Sequence, residues 1–196
     1  AQRFAGRSGP LRVLVVGGSL GARALNQVLP QALALIPADR RPLITHQTGM
    51  ANLEAVKADY VQAGLDPAHD VELLPFINNM AQRLRDCDLI VCRAGAITVS
   101  ELCAAGVPSI LIPLVVSTTA HQRDNAEFMA AHQAAIHLPQ TELRADTLAA
   151  QLQALQRSEL AAMADRARAL ARHQSAAAVA DAIEQFVKPS SVKASA

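Results

Sequence analysis

The hydrophobic positions of the chain form short continuous runs that alternate with longer segments of helical period. The runs are rich in β-branched residues and lack polar alternation, which is typical of strands buried on both faces of a sheet. They predict strands at 11–16, 42–46, 71–74, 89–92, 109–113 and 135–138. Helices are predicted at 22–36, 50–63, 80–85, 98–105, 122–131 and 145–155, followed by two or three alanine-rich helices that end near residue 187. Pro30 is expected to kink or restart the first helix.

This alternation of strands and helices predicts an α/β fold, a Rossmann-like doubly wound parallel sheet, over residues 11–187. Residues 1–10 are predicted to be the remnant of a linker between domains, and residues 188–196 a flexible tail. In such a sheet, ligands bind at the carboxyl ends of the strands. The turns that lead from a strand into a helix are therefore the places to search for function.

Composition and charge narrow the class of protein. The chain has 196 residues, of which 51% are hydrophobic, and this is enough for one domain with a substantial core. The net charge of +1 gives no indication of a nucleic-acid-binding surface. The apolar runs are far shorter than the roughly 20 residues that span a bilayer, and no signal sequence opens the chain, so a cytoplasmic protein is expected. The cysteines lack metal-ligand spacing and are expected to be buried free thiols.

Two of the strand-to-helix turns are rich in glycine, namely GGSLG at 17–21 and RAGAITVSE at 93–101. Each places glycine where the backbone must pass close to something and leaves free N–H groups at the start of a helix. This arrangement suits an anionic oxygen. Taken alone, the first turn is explained equally well by the need for glycine in a tight turn.

The spacing of the glycines argues against two common nucleotide sites. The turn at 17–21 does not read G-x-G-x-x-G, and the chain contains no G-K-[ST], so neither a dinucleotide fingerprint nor a Walker loop is present. No cofactor and no metal site are expected. The two turns favour a phosphorylated ligand held by two helix starts, and a nucleotide-sugar diphosphate fits that description.

Five consecutive segments together resemble the C-terminal half of the MurG family of glycosyltransferases. They are VLVVGGSLGARALNQVLP, THQTG, PFINNMAQ, DLIVCRAGAITVSELCAAGVPSILIPL and AHQRDNAEF, and the resemblance runs over residues 7–187. It implies the donor-binding half of an inverting GT-B enzyme of peptidoglycan synthesis. Such an enzyme moves N-acetylglucosamine from UDP-N-acetylglucosamine to undecaprenyl-linked muramyl-pentapeptide, converting lipid I to lipid II, at the cytoplasmic face of the bacterial inner membrane.

The resemblance also assigns roles to single residues near the two turns. Those implied to bind the diphosphate are Gly18, Ser19, Ala96, Ile97 and Thr98. Glu101 would accept hydrogen bonds from both ribose hydroxyls as a bidentate carboxylate. Judged without the surrounding motif, Glu101 is more readily explained as an N3-type glutamate that caps its helix.

The base and the sugar are implied to contact other residues. Phe76 and the backbone of Ile77 would form the uracil slot, with a place in the core as the alternative for Phe76. His121 and Gln122 would contact the sugar hydroxyls, Gln122 through its two-ended amide. For His121, the role of general base and an uninvolved surface position stay open beside this positioning role.

Three further polar residues have structural interpretations. His46 and Gln47 end the second predicted strand, where a structural hydrogen bond explains them at least as well as ligand contact. Asn125 is expected to tie its helix to the neighbouring loops.

Two departures from the family concern the phosphate and sugar regions. Leu20 stands where the family usually has glutamine, and the loop 115–119 lacks the charged residues common there. The catalytic base, the acceptor site and peripheral membrane association are expected in an N-terminal half that would precede Ala1, so the chain is interpreted as a fragment that is inactive alone. Two other functions stay open: a small donor-binding subunit of a two-chain lipid-linked N-acetylglucosamine transferase, and a non-catalytic nucleotide-sugar sensor.

Overall fold

The structure, a computed structural model, describes residues 2–18, 22–114 and 121–186. The strands are β1 Arg12–Val16, β2 Leu43–Gln47, β3 Val71–Leu74, β4 Leu89–Cys92, β5 Ser109–Leu111 and β6 Ile136–His137. The helices are α1 Arg23–Ala34, α2 Leu53–Gln62, α3 Met80–Asp86, α4 Ala96–Ala105, α5 His121–Ala131, α6 Ala145–Ala154, α7 Arg157–Ala169 and α8 Ser175–Phe186.

The strands form one six-stranded sheet in the order β3-β2-β1-β4-β5-β6, and every neighbouring pair is parallel. The predicted doubly wound parallel sheet is confirmed. From β1 the chain winds outward through β2 to β3, and it then returns to β4 on the other side of β1. The carboxyl ends of β1 and β4 therefore lie side by side at the point where the winding reverses.

Helices cover both faces of the sheet, and alternate strand residues pack into each layer. Val13 and Val15 of β1 belong to the core cluster under α1, α2 and α6. Leu14 points the other way, into the cluster under α3, α4 and α5. Every position of β4 and β5 is buried, which explains their continuous hydrophobic runs. β2 and β3 are partly exposed, with Leu43 58% exposed and Thr45 hydrogen-bonded to Glu72 at the surface.

The predicted strand boundaries at 71–74 and 89–92 are confirmed, and the others differ from the structure by one or two residues. β5 is shorter than predicted because Pro113 has no N–H group for the ladder, although Ile112 still donates to the Cys92 carbonyl at 2.9 Å. The predicted helix at 50–63 opens as a 3-10 turn, Met50–Asn52, before α2. α4 begins two residues earlier than predicted.

α1 is continuous through Pro30, so the predicted restart of the helix at this residue is wrong. Pro30 and the adjacent Leu29 are both buried, and α1 packs along α6. Burial of an apolar helix face is worth about 1.5–3 kcal/mol for each large side chain, which outweighs the one helical hydrogen bond that a proline removes.

The amino edge of the sheet is organised around Asp88, which precedes β4 and is completely buried. Its carboxylate accepts hydrogen bonds from Arg7 at 2.6 Å, from Arg157 at 3.1 Å and from the backbone N–H of Arg12 at 3.0 Å. Burial raises the pKa of Asp88, but these hydrogen bonds outweigh burial and hold the pKa below its usual value. The carboxylate is therefore fully paired inside the fold.

Arg3 fixes the N-terminal segment to the same edge. Its guanidinium donates to the carbonyl oxygens of Leu84 at 2.7 Å, Cys87 at 2.8 Å and Ala105 at 2.9 Å. These carbonyls lie at the ends of α3 and α4, where helix acceptors lack partners and the dipole favours a cation. Residues 2–10 are thus anchored to the domain, and their role as a linker stays a prediction.

The sequence predicted buried free cysteines and apolar runs too short to span a bilayer. Cys87, Cys92 and Cys103 are free and buried, as predicted. Burial raises the pKa of Cys87 to about 11 and that of Cys92 to about 12, so these thiols stay protonated at neutral pH. Within the described ranges, no helix is both long and apolar enough to cross a membrane.

Candidate functional site

A cleft of about 630 Å³ crosses the carboxyl edge of the sheet from β1 to β6. Its lining comes from the residues that follow β1, β4, β5 and β6 and from the first turns of α1, α4 and α5, and includes Gly17, Gly18, Arg23, Gln27, Arg93, Gly95, Thr98, Leu114, Gln122 and Gln140. The cleft is centred on the point where the winding of the sheet reverses. This is where ligands of doubly wound sheets bind.

The first glycine turn opens directly after β1. Gly18 has a φ of +92°, a backbone conformation that residues with a side chain rarely adopt. The backbone alone therefore explains the glycine at this position. Ser19 and Leu20 lie outside the described residues, as does the loop 115–119. The diphosphate contact of Ser19 stays a prediction.

α1 and α4 both begin at the cleft without a capping side chain. The residue that precedes α1 is Ala22 and the residue that precedes α4 is Gly95, and neither can accept a hydrogen bond from the first turn. The first helical bonds are Asn26 N–H to the Ala22 carbonyl and Val99 N–H to the Gly95 carbonyl, both at 2.9 Å. The N–H groups that open each helix therefore have no backbone partner in the described part of the chain.

The start of α7, outside the cleft, shows what a capped helix looks like in this chain. There Gln156 and Glu159 form a reciprocal capping box, and Glu159 adds an acidic group to the first turn. α1 and α4 have neither feature. α2, α3 and α6 also begin without a side-chain cap, so α1 and α4 are distinguished by their position at the cleft. At Gly95, φ is ordinary and an added Cβ would meet only Thr98 Oγ1 at 3.8 Å, so the fold does not require glycine there. An absent side chain at Gly95 instead leaves room for a ligand to reach the amides.

Two arginines that sequence reasoning missed line the same cleft. Arg93 follows β4 and donates to the Ile112 carbonyl at 3.1 Å. Burial lowers its pKa, although an arginine stays charged at neutral pH. Arg23 opens α1, is exposed, and has no ion pair within the described ranges. A cation in the first helical turn is unfavourable next to the helix dipole unless an anion binds between them.

No acidic side chain is among the described residues that line the cleft. Across the described residues, no group of three or more histidine, cysteine, aspartate or glutamate side chains could hold a metal ion. The cleft thus offers an anion two uncapped helix starts and two guanidinium groups. The sequence signal that could have indicated these residues is the position of Arg93 directly after β4 and of Arg23 at the first residue of α1.

Glu101 lies on α4, one turn after Thr98 and on the same side of the helix. Because α4 begins at Ala96, Glu101 is the sixth helical residue and is too far from the N-terminus to cap it. The capping interpretation is wrong. The carboxylate is exposed and has no hydrogen-bond or ion-pair partner in the described part of the chain, so it is available to a ligand.

Phe76 and Ile77 follow β3 on the α4 side of the sheet. Ile77 is buried in the same core cluster as Leu102 of α4, whereas Phe76 is 49% exposed. The interpretation of Phe76 as a core residue is therefore wrong. Phe76 and Glu101 are both exposed, and neither lines the cleft itself.

The remaining predicted contacts lie around the starts of α4 and α5. Ala96 and Ile97 open α4 and are exposed, with Ile97 at 78%. His121 opens α5 and is also exposed. Gln122 lines the cleft, and its Oε1 accepts the N–H of Leu114 at 2.9 Å, so its Nε2 is the group left for a ligand.

Two polar residues have the structural roles that the sequence suggested. Asn125 donates to the Ala94 carbonyl at 2.9 Å and ties α5 to the turn after β4, as predicted. His46 is completely buried between Asn26 Oδ1, 3.0 Å from Nε2, and the Tyr60 hydroxyl, 3.2 Å from Nδ1. Asn26 donates its amide to the Thr48 carbonyl at 2.9 Å, so its oxygen faces His46 and the imidazole proton resides on Nε2.

The model for the glycosyltransferase family 28 C-terminal domain matches residues 12–186 of the chain. The chain belongs to this family. The predicted family resemblance is confirmed, and the fold is that of the C-terminal half of a GT-B glycosyltransferase.

Curated relatives agree with this assignment. The chain is 65% identical over 95% of its length to a UDP-N-acetylglucosamine–N-acetylmuramyl-(pentapeptide) pyrophosphoryl-undecaprenol N-acetylglucosamine transferase of Chromobacterium violaceum, and covers 51% of that protein. It is 61% identical over 95% of its length to the protein of the same name from Methylibium petroleiphilum, and covers 50% of it. The chain thus spans about half the length of the curated relatives it matches.

A solved structure gives the same result. The crystal structure of Acinetobacter baumannii MurG is similar with a TM-score of 0.84 and 38% identity, over 94% of this chain and 52% of that one.

Proposed function

We propose that this chain is the donor-binding domain of an inverting N-acetylglucosaminyltransferase of peptidoglycan synthesis. The donor is UDP-N-acetylglucosamine, and the acceptor is the undecaprenyl-linked muramyl-pentapeptide. The observation that carries the proposal is the pair of uncapped helix starts, α1 and α4, at the reversal point of the sheet. The names of the 65% and 61% identical relatives support the choice of sugar and acceptor.

The diphosphate lies between the two helix starts in this proposal. A helix N-terminus contributes about 0.3–1 kcal/mol to an exposed anion and about 2 kcal/mol to a partly buried one. A hydrogen bond from an arginine such as Arg23 or Arg93 adds about 1.5–3 kcal/mol. When the acceptor hydroxyl attacks the anomeric carbon, negative charge develops on the departing UDP. The same groups then stabilise that charge in the transition state.

The nucleoside and the sugar extend from the diphosphate in opposite directions. Glu101, one turn along α4, accepts hydrogen bonds from the two ribose hydroxyls, and the uracil reaches Phe76 and the backbone of Ile77. The sugar lies toward α5, where Gln122 Nε2 and His121 contact its hydroxyls. This direction is supported by the free carboxylate of Glu101 on one side and by Gln122 in the cleft on the other.

The acceptor site and the general base belong, in this proposal, to the other half of the full-length enzyme. That half also supplies peripheral association with the cytoplasmic face of the inner membrane. Holding donor and acceptor together lowers a barrier by roughly 7–11 kcal/mol, which half of a cleft does not provide. We therefore expect the chain to bind the donor without transferring it. The measurement is UDP release in the presence of lipid-linked acceptor. Robust acceptor-dependent release by this chain alone would contradict the assignment of the acceptor site and the general base to the other half.

Nucleotide selectivity tests the donor assignment. Calorimetry should show that UDP and UDP-N-acetylglucosamine bind at least tenfold more tightly than ADP, GDP or NAD, which corresponds to about 1.4 kcal/mol. The exposed Phe76 is expected to contribute to this preference, and Phe76→Ala should reduce it. Phe128 on α5 has the same exposed fraction, 49%, so Phe128→Ala is a matched control that should leave selectivity unchanged. Equal affinity for ADP and UDP in the unmodified chain contradicts the uracil slot.

A further inference from the structure

Gln140, which follows β6, lies on the wall of the cleft with an unpaired side-chain amide. Its Oε1 is buried without a hydrogen-bond partner, and its Nε2 has no partner among the described residues either. An unpaired buried oxygen costs free energy that an apolar side chain of similar size, such as methionine, would not incur. Packing alone therefore does not explain a glutamine at this position.

The backbone around Gln140 is fixed from both sides. Before it, the N–H of Leu138 extends the sheet by donating to the Leu111 carbonyl at 2.9 Å. After it, Leu143 is buried in the core cluster under α6. A 3-10 turn, Gln140–Glu142, connects these two anchors. The side chain thus leaves the backbone at a fixed point of the cleft wall.

The Gln140 amide can turn toward a ligand at low cost. Its last torsion joins an sp³ carbon to an sp² carbon, and such torsions have only broad preferences. Turning the amide breaks no hydrogen bond within the described structure, and it removes Oε1 from a buried position where the oxygen is unpaired. A ligand that donates to Oε1 or accepts from Nε2 would supply the missing partner.

The polar groups near Gln140 indicate the chemistry of that ligand. Three glutamines, Gln27, Gln122 and Gln140, line the cleft, and no acidic side chain lines it within the described ranges. An amide is neutral and both donates and accepts. This matches the hydroxyl groups of a sugar, which also do both, whereas a phosphate only accepts and is bound most strongly by cations.

The sheet places Gln140 beside the residues already assigned to the sugar. Leu111 of β5 is paired with His137 of β6, and Leu114 and Gln140 each follow three residues after that pair. The N–H of Leu114 donates to Gln122 Oε1 at 2.9 Å. Gln122 and Gln140 therefore reach the cleft from neighbouring strand ends, on the side of the sheet order away from Phe76.

We propose that Gln140 binds the donor sugar, with its amide turned into the cleft to exchange hydrogen bonds with the sugar hydroxyls. The inference rests on the proposed function, since it assumes a nucleotide sugar whose sugar lies toward α5. Gln140 contacts the sugar from the β6 side of the cleft, and Gln122 contacts it from α5.

The test compares Gln140→Met with the unmodified chain by calorimetry with UDP and with UDP-N-acetylglucosamine. Gln140→Met should weaken UDP-N-acetylglucosamine binding about fivefold and change UDP binding less than about twofold, because only the sugar reaches the amide. The melting temperature should stay the same or rise, since the unpaired buried oxygen is gone. Gln153→Met is the matched control and should change neither affinity. Gln153 is also partly buried, but it lies on α6 outside the cleft and donates to the Ala149 carbonyl.

Three outcomes would overturn the inference and leave the proposed function intact. The first is unchanged UDP-N-acetylglucosamine affinity in Gln140→Met. The second is an equal loss of both ligands, which would place the effect at the UDP part of the donor, and the third is the same selective loss in Gln153→Met. If Gln140→Met does not fold, Gln140→Ala takes its place with the same expected result, because it adds no bulk to the cleft wall. An unmodified chain that binds neither ligand overturns the proposed function together with this inference.

Discussion

The two edges of the sheet differ in whether their charged side chains are buried and paired or exposed and unpaired. At the amino edge, Asp88 is completely buried and paired with Arg7 and Arg157. At the carboxyl edge, Arg23 and Glu101 are exposed and have no ion-pair partner among the described residues.

The difference separates stability from binding. Charges that are paired and hydrogen-bonded inside the chain hold its segments together, and a ligand gains nothing from them. Unpaired charges beside uncapped helix starts contribute little to the fold, but their partners can come from a bound molecule. Substitutions at the amino edge should therefore change unfolding, and substitutions at the carboxyl edge should change binding.

The largest effect is expected from Asp88→Asn. Removing the charge leaves Arg7 and Arg157 without their buried partner, and breaking such a pair costs about 3–5 kcal/mol of unfolding free energy. Urea denaturation measures this loss, and UDP affinity of the folded protein should stay the same. Asp86→Asn is the control, because Asp86 is exposed on α3 and should change stability by less than about 0.5 kcal/mol. A selective loss of UDP affinity in Asp88→Asn would contradict the separation of the two edges.

The next effect is a pH dependence from His46. Burial lowers the pKa of His46 to about 4, against 6.5 for the free side chain. Between these values the unfolded chain binds a proton and the folded chain does not, so stability falls as the pH falls through this window. The slope approaches about 1.4 kcal/mol per pH unit below pH 6, which gives a loss of about 1.6 kcal/mol between pH 6.5 and pH 5.

Urea denaturation at several pH values measures this loss. The upper part of the window lies above the range in which carboxylates titrate, so their contribution to the slope is small there. His46→Gln should remove most of the dependence, while His69→Gln, at an exposed histidine, should leave it in place. An unchanged slope in His46→Gln would show that the proton binds elsewhere.

The smallest free-energy change concerns Glu101→Ala at the carboxyl edge. Loss of its hydrogen bonds to the ribose should reduce UDP affinity at least tenfold, or about 1.4 kcal/mol, with almost no change in melting temperature. Calorimetry and a thermal scan on the same sample test both parts. Glu127→Ala, on the exposed side of α5, should change neither quantity. A lower melting temperature with intact binding would assign Glu101 to the fold instead.

Most of the fold could be predicted because its signals are local. β4 was located to the residue, since all four of its positions are buried and the run LIVC is continuously apolar. The start of α4 was placed two residues late because Gly95, the residue before the helix, carries no capping side chain to mark it. The missing side chain at Gly95 thus explains both the weak sequence signal for the start of α4 and the free amides in its first turn.

The site was predicted less completely, since its assembly depends on the order of the strands. Arg23 and Arg93 are far apart in the sequence and share a cleft only because β1 and β4 are neighbours. Gln47 Nε2 donates to the Gly18 carbonyl at 3.2 Å, a structural hydrogen bond that likewise depends on the pairing of β1 with β2. Such contacts leave no periodic pattern in the chain.

The pairing of β1 with β4 also has a consequence for how the domain opens. Strands β1 to β3 and strands β4 to β6 are each joined by local crossovers, whereas the contact between these two units closes a long loop of chain. A molecule resting on both Gly18 and Gly95 contacts one residue from each unit. It binds only while the two units are docked, so occupancy of the cleft suppresses their separation by mass action. Amide hydrogen exchange along β1 and β4 is then expected to slow as the ligand concentration rises, because the bound molecule would act as a cross-link between the two folding units.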